Sequence, residues 1–135
     1  MANRQRGFTL IEALVALVVL SIGLLGVAAM QLKALQSAHM GYQRSVASLA
    51  AIDAQERTWA VLPDEGCPDS SLLSDISGAW ASQWFGSDKM LLDAGSSGIF
   101  DNGSCSYRVV VNWREGRGSA DDGEFTYEFR MPEVP

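Results

Sequence analysis

The amino-terminal quarter of the chain shows no alternation of apolar and polar positions. Residues 8–30 read FTLIEALVALVVLSIGLLGVAAM, with Glu12 as the one charge. A run of that length is enough to cross a bilayer as a helix. Large apolar residues then return at Leu32, Leu35, Tyr42, Val46, Leu49, Ile52 and Trp59, at spacings of three, four or seven. This is the helical period with one apolar face. Gly41 weakens the pattern mildly, and Pro63 ends it. The pattern predicts one continuous helix from about residue 8 to about residue 62, roughly 80 Å long at 1.5 Å per residue. Its second half is expected to lay that apolar stripe against the rest of the protein.

After Pro63 the pattern shortens. Asp69-Ser70-Ser71 offers an N-cap, and Leu72, Leu73, Ile76, Trp80, Trp84 and Phe85 follow at helical spacing. A second, shorter helix is expected there, with Trp80 and Trp84 one turn apart as a core ridge. Ile99-Phe100 predicts a short strand ending at the turn signal Asp101-Asn102-Gly103. Residues 106–114 alternate, with Tyr107, Val109, Val111 and Trp113 on one face. Residues 124–131 alternate again, with Phe125, Tyr127, Phe129 and Met131 together. These are antiparallel strands with one buried face, joined through a long polar loop at 115–123. The predicted class is α+β: a long amino-terminal helix packed on a small carboxy-terminal antiparallel sheet. It divides into a leader at 1–7, an apolar helix at 8–30, its amphipathic continuation at 31–62 and a globular head at 63–135.

Composition narrows what such a chain does. The 135 residues carry a formal charge of −6, and the basic residues beyond Met30 are scattered. A nucleic-acid surface needs a basic stripe, since phosphate neutralisation supplies most of the affinity; none is present, and no nucleic-acid partner is expected. No catalytic constellation is found: the only histidine, His39, lies on the helix, and there is no GxSxG, HExxH or Walker sequence. Asp121-Asp122-Gly123-Glu124 lacks the ligand spacing of a calcium loop and reads as a solvated turn. No cofactor and no metal are expected. The two cysteines, Cys67 and Cys105, allow one disulfide and no CxxC cage. If the head is exported, the bridge is the favoured state. It would close a loop of about 39 residues, contributing about 4 kcal/mol by chain entropy.

The amino terminus carries the functional signal. Arg4 and Arg6 precede the apolar run and orient it with its start in the cytoplasm, so the head faces the periplasm. Glu12 is costly inside a membrane, by about 3 kcal/mol at the centre of a span and less near the helix end. It calls for a partner. Cleavage after Gly7 would create an amine on Phe8, four residues before Glu12. That amine, or the same amine on a neighbouring subunit, would pair the charge and fix axial register between packed helices.

Arg6-Gly7-Phe8-Thr9-Leu10-Ile11-Glu12 resembles the class III signal of type IV pilins and type II secretion pseudopilins. The resemblance implies the pilin fold and cleavage between Gly7 and Phe8 by a prepilin peptidase. It further implies N-methylation of Phe8 by the same enzyme, and a role for Glu12 in assembly. Ile22-Gly23-Leu24-Leu25-Gly26, Gln31-Leu32 and Asn112-Trp113-Arg114-Glu115 look most like the PilV-type minor pilins. A secretory signal peptide ending near Val27-Ala28-Ala29 is the rival reading. Such signals have a shorter apolar core, without a glutamate. A plain single-span anchor leaves Gly7, Phe8 and Glu12 unexplained.

The expected function is that of a non-enzymatic minor pilin, which helps initiate a type IV pilus and sits at or near its tip, supporting twitching motility and adhesion. It would reside in the bacterial inner membrane, head in the periplasm, then in the surface pilus. Its partners would be other minor pilins and pilus subunits, the prepilin peptidase, inner-membrane lipid and the pilus assembly platform. The alternatives are a minor pseudopilin of a type II secretion system, and an adhesin or DNA-uptake subunit binding through its sheet or the 115–123 loop.

Overall fold

The computed structural model describes residues 7–62, 66–89, 91, 95–114 and 123–133. The chain divides into two compact units, Met1–His39 and Met40–Pro135. Helix α1 spans Leu10–Ala60, so the division falls within it. In the first unit, every described side chain is exposed. α1 contains the one stretch among the described residues that is long and apolar enough to cross a membrane.

The second unit is the head. Its elements, beside the end of α1, are α2 (Ser70–Trp84), β1 (Gly98–Gly103), β2 (Ser106–Trp113) and β3 (Gly123–Arg130). α2 starts as the sequence predicts: Asp69 Oδ1 accepts the backbone N–H groups of Ser71 and Leu72 at 3.1 and 2.9 Å, satisfying donors that a helix start leaves unpaired. The strands form one antiparallel sheet in the order β1-β2-β3. Tyr107, Val109, Val111 and Trp113 all face the core, as period two requires. β1 stops short of the end of β2. There the Ser97 hydroxyl substitutes for a strand, accepting the Asn112 N–H at 2.8 Å and donating to the Asn112 carbonyl at 3.1 Å.

Two sequence expectations are corrected. The first concerns the β1–β2 turn. Asp101 and Gly103 are still paired with β2, opposite Tyr107 and Ser106. The turn residues are Ser104 and Cys105, with φ of 52° and 53°. Positive φ at both central positions is the geometry of a hairpin turn whose twist matches the strands. Gly103, also at positive φ (82°), accompanies a shift of register rather than the turn itself.

The second correction concerns which side of α1 meets the head. The buried residues are Gln43, Val46, Ala47, Ala50, Ala51, Ala54 and Thr58. Of the large apolar stripe predicted to pack inward, only Val46 does. Leu32, Leu35, Tyr42, Leu49, Ile52 and Trp59 are exposed. The bulk of the core comes instead from the other elements, in Trp80, Phe85, Leu91, Tyr107, Trp113 and Phe129. Small side chains on α1 let that bulk approach its backbone: the buried Trp80 Nε1 donates to the Ala50 carbonyl at 2.7 Å. Trp84, expected beside Trp80 in the core, is half-buried, with its Nε1 on Asp53 Oδ2 at 2.8 Å. The same oxygen accepts Arg57 Nε at 2.8 Å, and Arg57 also reaches Gln83 Oε1.

Candidate functional site

The residues singled out at the amino terminus lie at the start of α1. Gly7, Phe8 and Thr9 are non-helical and exposed, and helix begins at Leu10. The Gly7–Phe8 peptide bond is therefore exposed and lies outside the helix. Arg4 and Arg6 lie outside the described residues. Thr9 is the residue at which the helix begins its ladder: its carbonyl accepts the N–H of Glu12 at 3.0 Å and of Ala13 at 3.2 Å. Its hydroxyl donates to Glu12 Oε2 at 3.4 Å. Thr9-Leu10-Ile11-Glu12 has the S/T-x-x-E spacing of a capping box, but the contact formed is hydroxyl to carboxylate rather than side chain to backbone N–H. The sequence reading takes Glu12 as an intramembrane charge, favoured in the first turn of a helix and paired by an ammonium, and misses this local partner, although the spacing itself is the signal. The carboxylate also sits in the first turn of α1, where the helix dipole favours a negative group.

The second part of the candidate site is the outward side of α1. Within the head unit, Tyr42 and Leu49 are seven residues apart, as are Ile52 and Trp59. With Ser45 and Glu56 they fall on alternating spacings of three and four. A seven-residue apolar repeat is the seam by which one helix packs on another. Tyr42 is 56% exposed and Leu49 58%, whereas Ala50 and Ala54 are fully buried. α1 is therefore sided: small residues toward the head, large ones away from it.

Cys67 and Cys105 are joined, with Cα atoms 5.6 Å apart, which ties the segment before α2 to the β1–β2 turn. Beside it Tyr107 is buried and donates from its hydroxyl to the Pro68 carbonyl at 3.1 Å. Burial, and secondarily the Asp101 carboxylate, raise the Tyr107 phenol above its ordinary value of 10.0. His39 is exposed on α1. Among the described residues no group of three or more His, Cys, Asp or Glu is arranged to hold a metal. The 115–122 part of the long loop, including Asp121 and Asp122, lies outside the described residues.

An apolar helix with an exposed start, followed by an α+β head, fits a membrane-anchored pilin-like chain. A family model of the prokaryotic N-terminal methylation motif matches residues 2–28, and this supports a type IV pilin-like or pseudopilin subunit. The match implies processing by a prepilin peptidase and assembly with other pilin-like subunits. No curated protein and no solved structure matches the chain.

Proposed function

We propose that this chain is a minor pilin of a type IV pilus: a structural, non-enzymatic subunit that helps initiate the pilus at or near its tip and so supports twitching motility and adhesion. In this reading it is held in the bacterial inner membrane by residues 8–30, cleaved between Gly7 and Phe8, N-methylated on Phe8, and extracted into the filament through the assembly platform. The observation that carries the reading is the coincidence of the methylation motif over residues 2–28 with a helix whose large apolar side chains are exposed. A helix apolar on the side away from its own head is suited to burial among the helices of neighbouring subunits.

The test is amino-terminal mass spectrometry of the protein from cells with and without prepilin peptidase. The expected result is a mature chain starting at N-methylated Phe8 in the first case only. An intact Met1 terminus in both removes the reading. A minor pseudopilin of a type II secretion system carries the same amino-terminal signal, and deletion separates the two. Loss of surface pili supports the pilus; loss of exoprotein secretion with pili intact supports the secretion system.

A further inference from the structure

The two edges of the sheet are finished differently. Along β1, the backbone N–H of Ile99 points away from β2 and is taken by Ser77 Oγ at 3.2 Å. α2 packs along that edge, and the β1–β2 register shifts between Asp101 and Gly103. Covering elements and irregularities of this kind are how sheet edges are protected against further pairing. β3 has neither. Its eight residues pair with β2 without interruption, from Gly123 opposite Trp113 to Arg130 opposite Ser106. It contains no proline and no lysine.

The phase of the ladder fixes which groups are free. The Met131 N–H donates to the Cys105 carbonyl at 2.9 Å, so Phe129, Tyr127 and Phe125 also turn their backbone groups to β2. By the alternation of an antiparallel ladder, Glu124, Thr126, Glu128 and Arg130 turn theirs to the open side, and no described residue takes them. Their side chains are exposed. Phe125 and Tyr127, on the opposite face, are only half-buried. Neither Glu124 nor Glu128 has an ion-pair partner among the described residues. Arg108, opposite Glu128, lies over the Phe100 ring instead, 5.8 Å from its centroid.

We propose that β3 is a docking edge for an extended segment of another polypeptide, added antiparallel as a fourth strand. Main-chain hydrogen bonds supply the affinity of such an addition, and alternate side chains its specificity. The unpaired carboxylates select Lys or Arg opposite Glu124 and Glu128, with an acidic residue opposite Arg130, since directly opposed charges on one face interact. β-branched residues between them cover the exposed rims of Phe125 and Tyr127. The proposal rests on the sheet of the head and is independent of how the amino terminus is processed.

The test uses the full chain in detergent micelles and a synthetic, end-blocked heptapeptide, Glu-Val-Lys-Val-Thr-Val-Lys. The readout is amide hydrogen exchange resolved by residue. At saturating peptide, exchange at Glu124, Thr126, Glu128 and Arg130 is expected to slow at least tenfold, while Phe125, Tyr127 and Phe129 are unchanged. Thr126→Pro removes only an N–H that points to the open side, where proline is tolerated. It is expected to weaken peptide binding at least tenfold. The same peptide N-methylated on the amides that face β3, which leaves the protein unaltered, is expected not to protect. Equal exchange with and without peptide overturns the proposal, as does equal protection by the N-methylated peptide. It is likewise overturned if the four amides are already protected at every dilution, which assigns the edge to the chain's own segment. Protection that grows with protein concentration alone assigns it to a second copy and overturns it too.

Discussion

The sidedness of α1 is tested most sharply by exchanging bulk between its faces. Ala50 is fully buried, and its carbonyl receives the Trp80 indole N–H at 2.7 Å. Ala50→Leu forces three additional carbons into a space that Trp80 fills. Overpacking of a filled core costs about 1–3 kcal/mol. Loss of the indole hydrogen bond adds about 1 kcal/mol, so about 2–4 kcal/mol is expected. Leu49, the adjacent residue, is 58% exposed. Complete burial of a leucine is worth about 1.5–3 kcal/mol, so the part of it that is covered contributes about 1 kcal/mol. The better helix propensity of alanine offsets a few tenths of that. Leu49→Ala therefore costs under about 1 kcal/mol. In a head of about 100 residues, each kcal/mol moves Tm by about 4–8 °C. Thermal unfolding of the full chain in detergent, followed by near-ultraviolet circular dichroism, should show a fall of about 8–32 °C for Ala50→Leu. The fall for Leu49→Ala should be only a few degrees. If Leu49→Ala were the more damaging of the two, the alanine face would not be the one that holds the head, and the reasoning would fail.

Reduction of the Cys67–Cys105 bridge, or its double replacement by serine, removes a cross-link spanning 38 residues of sequence separation and should cost about 4 kcal/mol, read as a lowered denaturant midpoint. Because the Tyr107 phenol is raised above 10.0, the folded chain retains a proton that the unfolded chain releases near that pH. Its stabilisation is complete below pH 10 and is lost as pH rises through the folded value. Tyr107→Phe should abolish that alkaline loss while costing about 1 kcal/mol at neutral pH from the missing bond to Pro68; an unchanged alkaline limb refutes it. A Cβ at Gly123 would overlap the Trp113 indole across the strand pair. Gly123→Val should therefore expel Trp113 from the core and red-shift tryptophan emission, and an unshifted spectrum would count against that packing.

Different physical signals made different parts of the chain readable. The apolar block at 8–30 was legible because composition alone decides it. β2 and β3 were legible because Tyr107, Val109, Val111 and Trp113, then Phe125, Tyr127, Phe129 and Met131, keep a strict period of two. The disulfide was legible because Cys67 had one possible partner. The inward face of α1 was not, because leucine and alanine are both apolar. Which of them turns inward depends on bulk supplied by Trp80, Tyr107 and Phe129 from other elements, and no local pattern in α1 reports that. The turn was misplaced because Asp101-Asn102-Gly103 has turn composition, whereas the residues that take positive φ are Ser104 and Cys105. At the amino terminus the charge of Glu12 was conspicuous and its contact with the Thr9 hydroxyl was not, since one residue type serves both purposes.

The separation of small and large residues on α1 gives folding and association different residues to act on. Alterations to Tyr42 or Leu49, the two most exposed of the large side chains on this part of the helix, can retune how the helix meets its neighbours at little cost to the head. Defects of that kind arise at normal cellular abundance and escape the quality control that removes misfolded chains. A screen for loss of protein would pass over them, and a screen for loss of function would find them along one stripe of a single helix.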